Sequence, residues 1–158
     1  MNTDHMNTTI EGIGSISGGK YGRIDIEGVG SINGDLEFEV LSIEGTCKCS
    51  GNLKGGTMDV QGVMTCKKDI RVRRLDIEGV VKSDGIRVYA DEIYVEGVLN
   101  NKGEVNADKV RIEGCASLND LFGDDIRINY GHGQHISMVC SAFGRKREIR
   151  RAILSAVS

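Results

Sequence analysis

The sequence predicts an all-β fold: a right-handed parallel β-helix of about seven three-sided coils of roughly 17 residues, followed by a short basic amphipathic helix. Three observations predict it. The phrase Leu75-Asp76-Ile77-Glu78-Gly79 returns as Ile24–Gly28, Leu41–Gly45, Met58–Gly62, Ile93–Gly97 and Val110–Gly114, with a partial copy at Ile10–Gly12 and a decayed one at Ile126–Tyr130. The repeating glycines stand at 12, 28, 45, 62, 79, 97 and 114, at spacings of 16 to 18 residues. The chain also has 22 glycines, no proline and no tryptophan, which suits a strand ladder that needs every N–H and a narrow interior.

Within each copy, aliphatic and polar residues alternate, the period of a strand with one buried face. Glycine then turns the chain. A glycine at every such corner implies either a positive φ or a place where a side chain would strike the coil above or below. After the corner, a second apolar position holds Ile13, Val29, Val63, Val80 and Val98, expected to point inward. A third inward position holds Ile16, Ile32, Cys49, Cys66 and Leu118. A further pair follows in mid-coil: Leu36 and Phe38, Ile70 and Val72, Ile86 and Val88, Val105 and Ala107.

A βαβ unit needs about 30 residues, so this period is too short for a crossover helix. It fits three short strands with tight corners, each pairing in parallel with its equivalent in the next coil. Seven rungs about 4.8 Å apart give a rod roughly 30 to 35 Å long. The handedness rule for parallel crossovers favours a right-handed coil. The domain reading is a polar tail over 1–9, a β-helix over 10–130, a loop over 131–142 and a basic amphipathic segment over 143–158.

Residues 1–9 lack the basic start and apolar run of a secretory signal, and no stretch reaches the roughly 20 apolar residues of a membrane span. The expected location is therefore the cytoplasm, with the inner membrane face as a peripheral site. Five cysteines, an odd number, agree with a reducing compartment. Cys47, Cys49 and Cys66 invite a zinc reading, but no fourth ligand is evident, so they are read as small core residues with no metal and no cofactor. His132 and His135, in Gly131-His132-Gly133-Gln134-His135, are read as part of a loop.

The Glu27, Glu44, Glu78, Glu96 and Glu113 positions form an outward column. Like charges one rung apart repel by under about 1 kcal/mol in water. A solvated face that discourages sideways aggregation is preferred over a site that recruits a basic partner. From Phe143 the chain turns basic. Arg145, Lys146, Arg147, Arg150 and Arg151 face a single Glu148, with Ile149, Ala152 and Ile153 at helical spacing. Such a segment caps the rod, lies on an anionic membrane or binds an acidic partner, capping being preferred.

The phrases Ile10-Glu11-Gly12-Ile13-Gly14-Ser15 and Ile26-Glu27-Gly28-Val29-Gly30-Ser31-Ile32-Asn33-Gly34-Asp35, in a short proline-free chain of glycine-punctuated coils, resemble the bactofilins, polymer-forming bacterial cytoskeletal proteins. The resemblance covers roughly residues 10–130. It implies a right-handed β-helix that polymerises end to end without nucleotide, often near the inner membrane face. The basic segment after Phe143 departs from the flexible tail more usual in that family.

Elementary physics leads to the same expectation, because a β-helix has two open ends with unpaired strand edges that get covered or recruit another chain. The expected contact layers are Ile10, Ile13, Ile16, Ile24 and Ile26 at one end and Leu118, Leu121, Phe122, Ile126 and Ile128 at the other. The partner is the chain itself, with an anionic membrane surface or cell-envelope proteins as further partners through the basic segment; no nucleic acid is expected. An enzyme reading is disfavoured, since coils differing by at most a residue leave no room for groove-building loops. The alternative kept is a non-polymerising scaffold or sensor that recruits partners through the acidic face and the basic segment.

Overall fold

The computed structural model describes residues 6–83 and 85–128. These residues form eleven strands in order: β1 (Met6–Ile10), β2 (Ile13–Ile26), β3 (Val29–Ile43), β4 (Thr46–Cys49), β5 (Leu53–Val60), β6 (Val63–Cys66), β7 (Ile70–Ile77), β8 (Val80–Ser83), β9 (Val88–Val95), β10 (Val98–Ile112) and β11 (Cys115–Ile128). Every pairing is parallel, and each joins a residue to its equivalent one coil away. The result is a β-solenoid of about seven turns. The segments 131–142 and 143–158 lie outside the described residues, as do His132, His135 and the five basic residues from Arg145 to Arg151.

Three pairs of inward residues per coil, separated by breaks in the alternation, give the solenoid its three sides. In the second coil they are Gly30 and Ile32, Leu36 and Phe38, and Leu41 and Ile43, all buried. Stacking turns each position into a column. One runs through Leu36, Leu53, Ile70, Val88, Val105 and Leu121, and another through Leu41, Met58, Leu75, Ile93, Val110 and Ile126. Removing a buried side chain from such a column costs about 2–5 kcal/mol, because neighbours held by the ladder cannot close the gap.

Of the two explanations for the corner glycines, the structure selects the second. None of Gly28, Gly45, Gly62, Gly79, Gly97 and Gly114 has a positive φ. A Cβ on any of them would instead collide with the carbonyl oxygen of the glycine directly above it in the stack. Two successive N–H groups at the corner share one acceptor: Glu44 N and Gly45 N both donate to the Ile26 carbonyl, at 2.9 and 3.0 Å. The same arrangement recurs on Ile43, Val60, Ile77 and Val95. A side chain would prise these bonds apart.

The second corner has its own ladder. Asp35 Oδ1 accepts from Asn52 N at 2.8 Å, Asn52 Oδ1 from Asp69 N at 3.2 Å, and Asp69 Oδ1 from Arg87 N at 2.9 Å. Each short polar side chain satisfies a backbone donor of the following coil, the role for which Asx residues are suited.

The structure corrects the sequence reading in three places. The column expected to be a second inward position faces outward: Ile13 is 91% exposed, Val29 50%, Val63 37% and Val98 38%. The alternation runs straight on through the corner, with the glycine taking one of its inward places, so the inward residues are the next ones along, Gly14, Gly30, Cys47, Met64, Val81, Leu99 and Ala116. The solenoid also begins before residue 10, because Thr8 pairs with Ile24 and Ile10 with Ile26. Met6–Thr9 therefore belong to the rod rather than to a tail. Finally, Val88, not Ile86, stands opposite Ile70, so the mid-coil pair is Val88 and Ala90.

That last shift comes from the one coil that contains an extra residue. Gly85 takes φ +73°, and Ile86 tucks inward at 3% exposure. Asn101, fully buried in an otherwise mostly apolar column, secures this bend. Its Oδ1 accepts from Ser83 Oγ at 2.9 Å and from Gly103 N at 3.0 Å, and its Nδ2 donates to the Ile86 carbonyl at 3.0 Å.

Candidate functional site

Among the described residues the strand that opens the rod covers only part of the coil next to it, and that makes this end the first candidate site. β1 covers only the side formed by residues 21–26 of β2. The edge of β2 from Ile13 to Ser17 pairs with β3 on one flank and has no strand on the other among the described residues. Its N–H and C=O groups point along the rod axis, beside Met6 at 64% exposure and Ile13 at 91%. An edge of this kind accepts another strand.

The expected contact residues separate into layers. Ile13 is open and Ile16 half-buried, whereas Ile10 is buried at 8% exposure and Ile24 and Ile26 are fully enclosed beneath β1. Ile24 and Ile26 thus lie one layer inside the end. At the opposite end β11 pairs, among the described residues, only with β10. Leu118 and Leu121 are buried there, Phe122 and Ile126 are half-buried, and Ile128 stands opposite Ile112 in the ladder.

Cys47, Cys49 and Cys66 come together inside the rod. Cys49 and Cys66 are register neighbours, and Cys49 Sγ donates to the Gly51 carbonyl at 3.3 Å. Burial pushes the Cys47 thiol up to about 12, and burial raises Cys49 and Cys66 as well. Enclosed among aliphatic side chains, the three residues fill space in the core as small apolar groups. Among the described residues no group of three or more His, Cys, Asp or Glu is placed to hold a metal ion.

A pH dependence follows. The folded thiol pKa lies above the unfolded value near 9, so the stability tied to neutral thiols is fully present below pH 9. It is lost progressively as pH rises from 9 towards about 12. Urea midpoints measured across that range should fall, and a chain with all three residues replaced by Ala, Val and Ala should lose this part of the slope.

A groove of about 550 Å³ crosses the third side of the last coils. It lies where one inward column, Val72 in the fourth coil, holds only Ala90, Ala107 and Gly123 in the coils that follow. Tyr89 and Phe122 line one bank, and Asp91, Asp108 and Asp124 the other. Arg71 stacks over Tyr89 at 5.2 Å and closes one end.

The outward Glu column is exposed as expected, interrupted by Gln61. Sequence reasoning missed the neighbouring aliphatic column because it placed Val29 and its equivalents inside. The missing signal was the corner glycine, which has no side chain to show that it occupies the place between Ile26 and Gly30 in the alternation, so that the alternation runs on and Val29 falls outside. Sequence reasoning also missed Asn101, which no apolar pattern could reveal. No helix among the described residues is long and apolar enough to cross a membrane. No family model, curated protein or solved structure matches the chain.

Proposed function

We propose that this chain is a bactofilin-like structural protein whose rods join end to end, without nucleotide, into filaments or scaffolds in the bacterial cytoplasm. The observation that supports it most is the Ile13–Ser17 edge, which no other described strand covers on its outer flank, with Met6 and Ile13 exposed beside it. Joining that end to another rod pairs the free backbone groups and continues the internal columns. An end-to-end contact need not close, so growth is limited only by concentration.

Electron microscopy of the purified chain tests the reading, with filaments expected. Ile13→Asp should shorten them to single rods while circular dichroism stays β-rich, since the side chain is already outside. Phe122→Asp should do the same if the β11 end takes part. Monodisperse rods of the unaltered chain would overturn the proposal. A second reading, a non-polymerising scaffold, draws on the exposed Glu column, which offers regularly spaced carboxylates to a basic partner. Under that reading the unaltered chain stays monodisperse and retains a basic peptide in a salt-dependent manner.

A further inference from the structure

The side of the rod between the glycine corner and the second corner carries three parallel columns, and their order is informative. The central column is Ile13, Val29, Thr46, Val63, Val80, Val98 and Cys115. Two residues before it runs the exposed column Glu27, Glu44, Gln61, Glu78, Glu96 and Glu113. Two residues after it runs Ser15, Ser31, Lys48, Thr65, Lys82, Asn100 and Ser117. The face is thus acidic on one edge, aliphatic along the middle, and basic or hydroxyl-bearing on the other.

Strand propensity explains a valine at any one of these positions but not the whole column. The outward column Arg23, Val40, Thr57, Arg74, Glu92, Lys109 and Asp125, on another side of the same ladder, is mostly charged. Its charges find partners, Lys109 with Glu92 within the column and Arg23 with the neighbouring Asp25. By contrast, Glu44, Glu78, Lys48 and Lys82 form no ion pair with any described residue.

We infer that this side is a docking surface for a second copy of the chain, the two rods lying side by side and parallel. The aliphatic column stands midway between the acidic and basic edges, so a two-fold axis running along it exchanges those edges. Glu44 then faces Lys48 of the second copy at the same height, and Glu78 faces Lys82. In the other coils Glu, or Gln61, meets a hydroxyl or an amide. A two-fold axis across the rods would set Glu against Glu, which the charge pattern disfavours. A contact about 33 Å long and 15 Å wide buries on the order of 1,000 Å² in total, the lower bound for a specific interface. Single rods therefore pair weakly, and rods strung into a filament pair strongly through many repeated contacts. The side contact does not depend on whether rods also join by their ends.

The test places a reporter thiol at mid-rod, where an end contact cannot bring two copies of it together. The full chain bearing Val63→Cys, Cys115→Ser and Cys140→Ser is treated with a short bis-maleimide at neutral pH, where the three buried thiols remain enclosed. A cross-linked dimer is expected. Adding Lys48→Glu and Lys82→Glu should cut its yield at least tenfold, and further adding Glu44→Lys and Glu78→Lys should restore it, since the edges are then exchanged but complementary. The Val98→Cys chain provides the same readout if Val63→Cys lowers the β-sheet circular dichroism signal. Absence of the dimer, indifference to charge reversal, or failure of the second pair to restore it would each overturn the inference.

Discussion

Replacing Gly62 by alanine is expected to lower the melting temperature by about 6–12 °C, corresponding to about 3 kcal/mol or more. The added methyl would collide with the Gly45 carbonyl oxygen and crowd that of Glu44. Both atoms are backbone, held in the ladder, and cannot rotate away. The corner would have to open, straining the bonds that Gln61 N and Gly62 N make to the Ile43 carbonyl at 2.8 and 2.9 Å. Gly12 is the internal control. It occupies the same corner at the first coil, where an added Cβ meets nothing within 4 Å. Gly12→Ala should therefore stay within about 0.5 kcal/mol of the unaltered chain. Thermal melts followed by circular dichroism at 218 nm, a wavelength chosen for the β-sheet signal at about that position, measure both. Equal effects at the two glycines would show that backbone entropy, not stacking, explains the repeat.

The second large effect is expected at Asn101. Leucine fits the column, as Leu118 shows one coil later, yet Asn101→Leu should cost about 2–4 kcal/mol. The substitution leaves Ser83 Oγ, Gly103 N and the Ile86 carbonyl without the partners that Asn101 supplies. Buried donors and acceptors stripped of partners cost more than the bonds themselves contribute. The loss should be local, so hydrogen exchange at Gly103 should accelerate more than exchange at Leu41 or Met58. Restoring the regular period by deleting Gly85 together with Asn101→Leu should recover part of the stability, because the bend that needs the amide is then gone.

The repeat, the parallel pairing and the number of coils were legible in the sequence because the glycines recur at a nearly fixed interval. The outward direction of Val29, Val63 and Val98 was not. A valine after a turn reads as core when the corner glycine is taken to interrupt the alternation; counted as one of its places, Gly28 carries the alternation unbroken from Ile26 to Gly30 and leaves Val29 outside. Met6–Thr9 were passed over because Thr8 and Thr9 look polar, although threonine suits a strand and Ile10 stacks on Ile26. The rod end was legible as a place but not in its layering, since Ile24 and Ile26 lie under a strand that had been read as tail. Ile86 was aligned with Ile70 because both are isoleucines near mid-coil, and the extra residue at Gly85 is visible only once the ladder is traced.

The stacked corner has one more consequence. Among the described residues each coil pairs only with those just above and below it, at a separation of 16 to 18 residues. Protein length is then a free variable. Excising the segment from Thr46 to Gly62 would bring Gly45 directly before Val63, which already follows the same phase, and the molecule should close up into a shorter but otherwise regular spindle.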